Sequence, residues 1–243
     1  MPNIDYCYKD GKKLIMEPPP INLAIGTVTL TSDLTVQWIK HQKEIDEELE
    51  KLKKETNFKY NHIIIKDLPI VEARQRLVEE TLNKKYSHLF FLDSDVFIPK
   101  GALEYLLQIA INFDVQVLCL PVYLKRMPLI SNIYQDMMFA PLAKLPNKRF
   151  KIDLTGLAAC LIDLNVFKKI EKPYFVGKWR IMNTKGINFH LKTSEDTAFF
   201  YKLKQANIDV YCDPKYICEH YDKQRDLFFP SLINKKCYED SNG

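Results

Sequence analysis

No stretch of the 243 residues approaches the roughly 18 consecutive apolar positions that a membrane-spanning helix requires. The opening MPNIDYCYKDGKKLIMEPPP also lacks the apolar stretch of a secretory signal. The expectation from both absences is a cytoplasmic protein with no transmembrane segment. Charge of one sign is missing too: 35 basic residues against 31 acidic ones leave a net charge of +4, and the lysines mostly alternate with glutamates. That pattern argues against nucleic acid as the main partner, while a basic rim around a small anion stays compatible with it. Six cysteines, Cys7, Cys119, Cys160, Cys212, Cys218 and Cys237, show no disulfide-framework rhythm in a chain too large to need staples, which fits a reducing compartment. There is no internal repeat and no low-complexity tract. With 47% hydrophobic and 27% charged residues the composition is that of an ordinary folded protein.

What is present is a regular alternation of elements. Residues 1–20, ending in Pro18–Pro20, read as an N-terminal arm, and residues 21–243 as a single domain. Residues 21–30 form an apolar, β-branched run of the kind that makes a buried strand. Ser32 or Asp33 is placed to cap a helix running to about Lys54, with Val36, Ile39, Ile45, Leu49 and Leu52 as its apolar positions. A second strand at 62–65 ends near Asp67, a helix follows over 71–82, and a third strand at 88–92 leads directly into Asp93-Ser94-Asp95. Pro99 opens a helix whose Leu103, Leu106, Leu107, Ala110 and Phe113 share a face, and a fourth strand spans 115–122. Later come a strand over 151–164, a short helix over 165–170, a loop-rich stretch over 173–192 holding Trp179, a helix capped by Thr193 or Ser194 and running to Gln205, and a strand over 209–211. Continuously apolar strands separated by helices predict a three-layer α/β/α domain with a mostly parallel central sheet. Ligands of such sheets sit at the carboxyl ends of the strands, where Thr27, Asp67, Asp93 and Asp95 fall.

Two aspartates one residue apart are common by chance. These two leave the buried run Leu89-Phe90-Phe91-Leu92, so their carboxylates project toward the expected crevice. Hard oxygen donors suit Mg²⁺ or Mn²⁺, either of which can bridge to a diphosphate. Glu195-Asp196 opens a helix, where acidic residues favour the helix dipole and where a carboxylate can also stay ionised to accept a proton. His220 fits either a satisfied histidine near the core or a third metal ligand. Cys212, Cys218 and His220 lack the spacing of the familiar zinc motifs. The tail, with Leu227, Phe228, Phe229 and Leu232 beside Lys235 and Lys236, has the composition for peripheral membrane contact, although packing against the core is the simpler expectation.

Three stretches in this order, FFLDSDVFIPKGAL, TGLAACLIDLNVFKKI and SEDTAFFYKLKQANIDVYCDPKYICEH, resemble GT-A glycosyltransferases, in particular the inverting family 2-like members. By element order the resemblance covers roughly residues 21–222, with a nucleotide-sugar-binding half at 21–125 and an acceptor half at 126–243. It implies a Rossmann-like fold and a divalent cation (Mn²⁺ or Mg²⁺). It also implies a nucleotide-diphospho-sugar donor and a carbohydrate, lipid or protein acceptor. It implies that Asp93, Asp95 and His220 hold the metal, with Ser94 beside the donor, and that Asp196 is the base with Glu195 as helper or substitute. Thr27 and Asp67 sit where such enzymes hold the nucleoside, Arg74 resembles the arginine near the diphosphate or base, and Thr155-Gly156 matches a small-residue turn that lets donor and acceptor approach the backbone. Tyr123, Lys125, Arg126 and Trp179 are looser candidates for the cleft wall.

Two rival readings come from other classes. One is a haloacid-dehalogenase-type phosphatase, whose Asp-x-Asp also ends a strand. That motif usually continues to Thr or Val where this chain has Phe97, and it opens the core instead of following two βα units. The other is a non-catalytic nucleotide- or carbohydrate-binding protein of the same fold, which the complete carboxylate set disfavours.

Overall fold

The computed structural model describes residues 21–30, 34–55, 58–137, 140–184 and 187–233, with the backbone alone described over 178–184 and 187–193. In chain order the elements are β1 (Asn22–Thr29), α1 (Val36–Glu55), β2 (Lys59–Lys66), α2 (Ile70–Asn83), β3 (His88–Leu92), β4 (Val96–Phe97), α3 (Ala102–Phe113), β5 (Val117–Cys119), β6 (Ile133–Tyr134), β7 (Phe150–Ile152), β8 (Leu154–Thr155), β9 (Ala159–Asp163), a 3-10 turn (Leu164–Lys168), β10 (Lys178–Thr184), β11 (Ile187–Thr193), α4 (Glu195–Gln205), β12 (Val210–Cys212), β13 (Glu219–Asp222) and β14 (Leu227–Phe229).

The central sheet has seven strands in the order β2-β1-β3-β9-β5-β12-β7. Strands β2, β1, β3, β5 and β12 run one way, whereas β9 and β7 run against their neighbours. The sheet is therefore mixed and largely parallel. Side chains alternate across it with a period of two. On β3, Leu89 and Phe91 join Ala73, Leu77 and Val78 of α2 and Phe199, Phe200 and Leu203 of α4 in one core cluster. Phe90 and Leu92 face the other way and join Ile45 and Leu49 of α1 and Leu103, Leu106 and Leu107 of α3. Helices thus cover both faces, which is the three-layer arrangement expected.

Several local expectations are corrected. The loop-rich stretch 173–192 contains an antiparallel hairpin, β10 with β11, in which Thr184 pairs with Ile187. Its signal was present: Ile187, Phe189 and Leu191 alternate with Asn188, His190 and Lys192, a two-residue period that Trp179 and the nearby punctuation obscured. The single strand expected over 151–164 breaks into β7, β8 and β9, and the fourth strand shortens to 117–119. In α1 the buried face carries Trp38, His41, Gln42, Ile45 and Leu49, while Val36 and Ile39 face outward. Trp38 and His41 decide that register because Trp38 packs with Phe97, Tyr221 and Phe228, and His41 lies 5.2 Å, centroid to centroid, from Phe97. Ser32 and Asp33 lie outside the described residues, and the Thr35 hydroxyl accepts from the Trp38 N–H at 3.2 Å. Phe113 is exposed, its ring covered by the Arg149 guanidinium at 4.7 Å. In the tail, Phe228 and Phe229 are buried, so these apolar side chains lie inside the protein. Among the described residues no helix is long and apolar enough to cross a membrane.

One close approach sets the distance between α2 and the sheet. A Cβ on Gly26 of β1 would lie 2.5 Å from Leu77 Cδ2 and 2.8 Å from Leu89 Cδ1. Only the absence of a side chain there lets α2 seat Leu77, and one turn earlier Arg74, against the sheet. Gly26→Ala is expected to lower stability by about 1–3 kcal/mol through overpacking. A denaturant midpoint equal to that of the wild type, at unchanged slope, would show that α2 is not held this tightly.

Candidate active site

Strand β3 ends at Leu92, and the chain turns at once, with the Val96 N–H donating to the Asp93 carbonyl at 3.1 Å. The short β4 then pairs with β13, Phe97 opposite Glu219 and Val96 opposite His220. The Tyr221 N–H donates to the Asp95 carbonyl at 2.8 Å. This turn sends the two aspartate side chains to different partners. Asp93 continues the Leu89 and Phe91 face toward α2, whereas Asp95 faces β13.

Arg74 is the centre of the first group. It is 3% exposed and its guanidinium carbon lies 5.9 Å from the centroid of Phe91. Its Nη1 donates to Asp196 Oδ1 in a short ion pair, its Nη2 lies 3.5 Å from Asp93 Oδ2, and its Nε lies 3.6 Å from Glu195 Oε1. That Nε is buried and makes no hydrogen bond. One cation therefore faces three carboxylates in a buried place, and it cannot neutralise them all. Burial pushes the Asp93 carboxyl above its usual range, and the opposing pull of Arg74 does not cancel it. Asp196 is pushed up to about 7, first by burial, with Arg74 opposing and the nearby Glu195 and Asp93 charges adding to the rise. The ion pair with Arg74 and the raised pKa are compatible because the guanidinium is shared among three acids.

The helix that carries Glu195 and Asp196 starts where the sequence indicates. The Ser194 hydroxyl caps α4 by accepting from the Thr197 N–H at 3.3 Å. The Leu157 backbone N–H works to lower the Asp196 pKa, against the larger effect of burial. Beside it, a Cβ on Gly156 would lie 3.6 Å from Asp196 Oδ2 and 2.6 Å from Asn132 Nδ2. The β6–β8 pairing, with Ile133 opposite Thr155, brings Asn132 to this place. Asn132 has no signal in sequence spacing, since only the pairing of two very short strands locates it.

The second group surrounds Asp95. His220 Nδ1–H donates to the Tyr123 carbonyl at 2.8 Å, because a carbonyl can only accept. Nε2 is thereby turned toward Asp95 Oδ2 at 3.4 Å. Lys125 Nζ makes a short ion pair with the same oxygen. Burial works to raise the Asp95 carboxyl, but His220 and Lys125 outweigh it and hold it down at about 2.

The remaining expected residues stand apart from these groups. Thr27 is buried within β1 opposite Ile64, and Asp67 is an exposed residue with a φ of 58° just past β2. Ser94 is half-buried in the turn between the two aspartates. The Trp179 side chain lies outside the described set. Cys212 and Cys218 belong to core clusters on opposite faces of the sheet, which removes the zinc arrangement with His220. Among the described residues no three His, Cys, Asp or Glu side chains form a ready metal cage. The donors near Asp95 still suit a hard divalent ion: a carboxylate, an imidazole whose other nitrogen is locked by a carbonyl, and a neighbouring carboxylate group with excess negative charge.

No family model matches the chain, and no curated protein matches it in sequence. Among solved structures, A197 from STIV is similar over 88% of this chain and 92% of its own, with a TM-score of 0.59 and 18% identity. That likeness shows the fold. GalNAc-T7, solved with UDP, GalNAc and Mn²⁺, gives a TM-score of 0.48 at 12% identity over 83% of this chain and 44% of its own. TarS 1–349 from S. aureus, solved with UDP-GlcNAc, gives 0.46 at 12% identity over 81% and 58%. The chain thus spans well under two thirds of either of these two proteins, and neither overlap is close enough to carry an argument. The class defined by the fold is a three-layer α/β sandwich with a mixed, largely parallel central sheet, a fold that the chain shares with A197.

The charge balance around Arg74 generates a prediction. Arg74→Met leaves three half-buried carboxylates without a counter-charge and is expected to cost about 1–3 kcal/mol at pH 8. The loss should shrink toward pH 4, where protonation removes the repulsion. In the wild type, the Asp196 contribution is fully present below its unfolded value of about 4 and is lost as pH rises through about 7. Denaturant titrations of both proteins across this range check the sign. A loss in Arg74→Met that is independent of pH would mean that packing, and not charge, is what Arg74 supplies.

Proposed function

We propose that the chain is a glycosyltransferase that moves a sugar from a nucleotide-diphospho-sugar to an acceptor hydroxyl on a carbohydrate, lipid or protein. The observation that carries this reading is Asp196: a carboxylate with a pKa of about 7, held by Arg74 through one oxygen and directed by the other toward Gly156. A group with that pKa near neutral pH is matched to accepting a proton. The Asn132 side-chain amide lies over Gly156, beside Asp196 Oδ2, as a polar group that an acceptor hydroxyl would meet there.

In this reading the acceptor hydroxyl attacks the anomeric carbon as the bond from that carbon to the diphosphate breaks, and the hydroxyl proton passes to Asp196. Direct displacement of this kind inverts the anomeric centre. Arg74 fixes the Asp196 carboxylate and keeps its orientation, while Glu195 on Arg74 Nε holds the guanidinium from the side. Asp93, Asp95 and His220 are the residues that would hold a divalent cation, which when bound supplies positive charge to the departing diphosphate. Thr27, Asp67 and Ser94, along the carboxyl edge of β1, β2 and β3, are assigned to the nucleoside side of the donor.

Three measurements test this. The first is a screen of nucleotide-sugars for Mn²⁺-dependent thermal stabilisation and slow donor hydrolysis, which needs no acceptor. At least one donor is expected to give both, and a blank across the panel removes the proposal. The second is Asp196→Asn, expected to lower turnover by about 10²–10⁴-fold while donor binding is retained. With the wild type, kcat/KM should rise with pH to a plateau above about 7 because the base must be ionised. Unchanged turnover in Asp196→Asn would take Asp196 out of the reaction.

A further inference from the structure

Lys125 is a charged group at this site for which neither the base nor the donor ligands account. Its segment leaves the sheet region at Val122 and returns at Asn132, with the Asn132 N–H donating to the Val122 carbonyl at 2.7 Å and the Leu124 N–H to the Ile130 carbonyl at 2.9 Å. Tyr123 bridges Ser131 within it. The excursion is tied to the β13–β14 turn by Arg225, whose Nη1 donates to the Lys125 carbonyl at 2.8 Å. The same segment therefore reaches both halves of the site, with Asn132 beside Gly156 and Lys125 on Asp95. The Lys125 side chain is 28% exposed and that of Asp95 42%, and they meet where the backbone of the segment is tied on both sides of Lys125.

Resting on the transferase reading, we propose that Lys125 is a resident counter-cation that competes with the divalent metal for Asp95, so that metal is taken up together with the anionic donor and not ahead of it. Lys125 Nζ and His220 Nε2 converge on the same oxygen, Asp95 Oδ2, which is where a cation shared with His220 would bind. An ammonium is a compact point charge, and a divalent ion brought to the same oxygen meets it at a range where like charges repel. A diphosphate removes the conflict, because its oxygens accept the ammonium N–H groups and the metal at once. Lys125 then exchanges Asp95 for phosphate, and cation and donor bind with positive, reciprocal coupling. Lys125 acts here as a positioning residue, since its effect on the reaction passes through Asp95 and the donor.

Mn²⁺ alone, titrated into the nucleotide-free protein and followed by loss of the free-ion paramagnetic resonance signal, reads this competition directly. Lys125→Met is expected to bind Mn²⁺ about ten-fold tighter than the wild type, within the usual range of coupling between sites. Lys125→Arg keeps the charge and should stay near the wild type. Thermal melts of the ion-free proteins establish that both variants are folded. Unchanged or weaker Mn²⁺ binding by Lys125→Met overturns the proposal, as does equal tightening by Lys125→Arg or an absence of Mn²⁺ binding in all three proteins. The transferase reading fails by a different result, the lack of donor hydrolysis in the wild type, whether or not Lys125→Met binds Mn²⁺ more tightly.

Discussion

An arginine that is 3% exposed and faces three carboxylates is an arrangement that the rest of the protein has to enforce. Left to itself a buried arginine would take one bidentate partner, and surplus acids would move away or protonate. Here Asp93 is delivered by the end of β3, Glu195 and Asp196 by the first turn of α4, and Arg74 by the buried face of α2. Each element is anchored by its own apolar side chains: Phe91 on β3, Phe199 and Phe200 on α4, Leu77 on α2. The core therefore holds a surplus of negative charge that the site cannot relieve internally. Burial, with the neighbouring acids adding to it, raises the Asp93 and Asp196 carboxyls.

The turn at 93–95 separates two tasks that a single carboxylate could not serve. Asp93 joins the buried acidic group, while Asp95 turns toward His220 and solvent, where Lys125 also reaches it. Because β4 pairs with β13, the histidine that is distant in sequence lies opposite the residue just after Asp95. The 122–132 excursion then closes over both sides. A site of this form has one half that favours protonation and another that favours anionic carboxylate, within one short turn of chain.

Much of this was legible in sequence because it follows from local pattern. The strand that leads into Asp93-Ser94-Asp95 is apolar from Leu89 to Leu92, which marks it as central and its end as a crevice. Ser194 before Glu195-Asp196 is a cap in sequence and in structure. The layered α/β arrangement followed from the alternation of elements. What was not legible depends on long-range pairing. The antiparallel insertion of β9 between β3 and β5 leaves no mark on a continuously apolar strand, and the β6–β8 pair that places Asn132 involves two residues on each side. In sequence the hairpin β10–β11 lies among Pro173, Gly177 and Gly186, turn-forming residue types that mask its two-residue alternation. Arg74 was visible as a residue near the donor, but its grip on three acids is a property of α2 lying close over Gly26. The ion pair of Lys125 with Asp95 could not be read from spacing, since it rests on Arg225 holding a loop one hundred residues away.

In the proposed transferase, Asp93, Asp95 and His220 bind one end of the donor whose other end faces Asp196. A crystal structure grown with Mn²⁺ and a nucleoside diphosphate, with the metal located by its anomalous scattering, tests this arrangement most directly. The predicted result is one Mn²⁺ peak within coordination distance of Asp95 and His220, diphosphate oxygens on its far side, and Asp196 still on Arg74 facing the space beyond the phosphate. A diphosphate bound away from the carboxyl ends of β1 and β3, or a metal with no contact to Asp95 or His220, would contradict it.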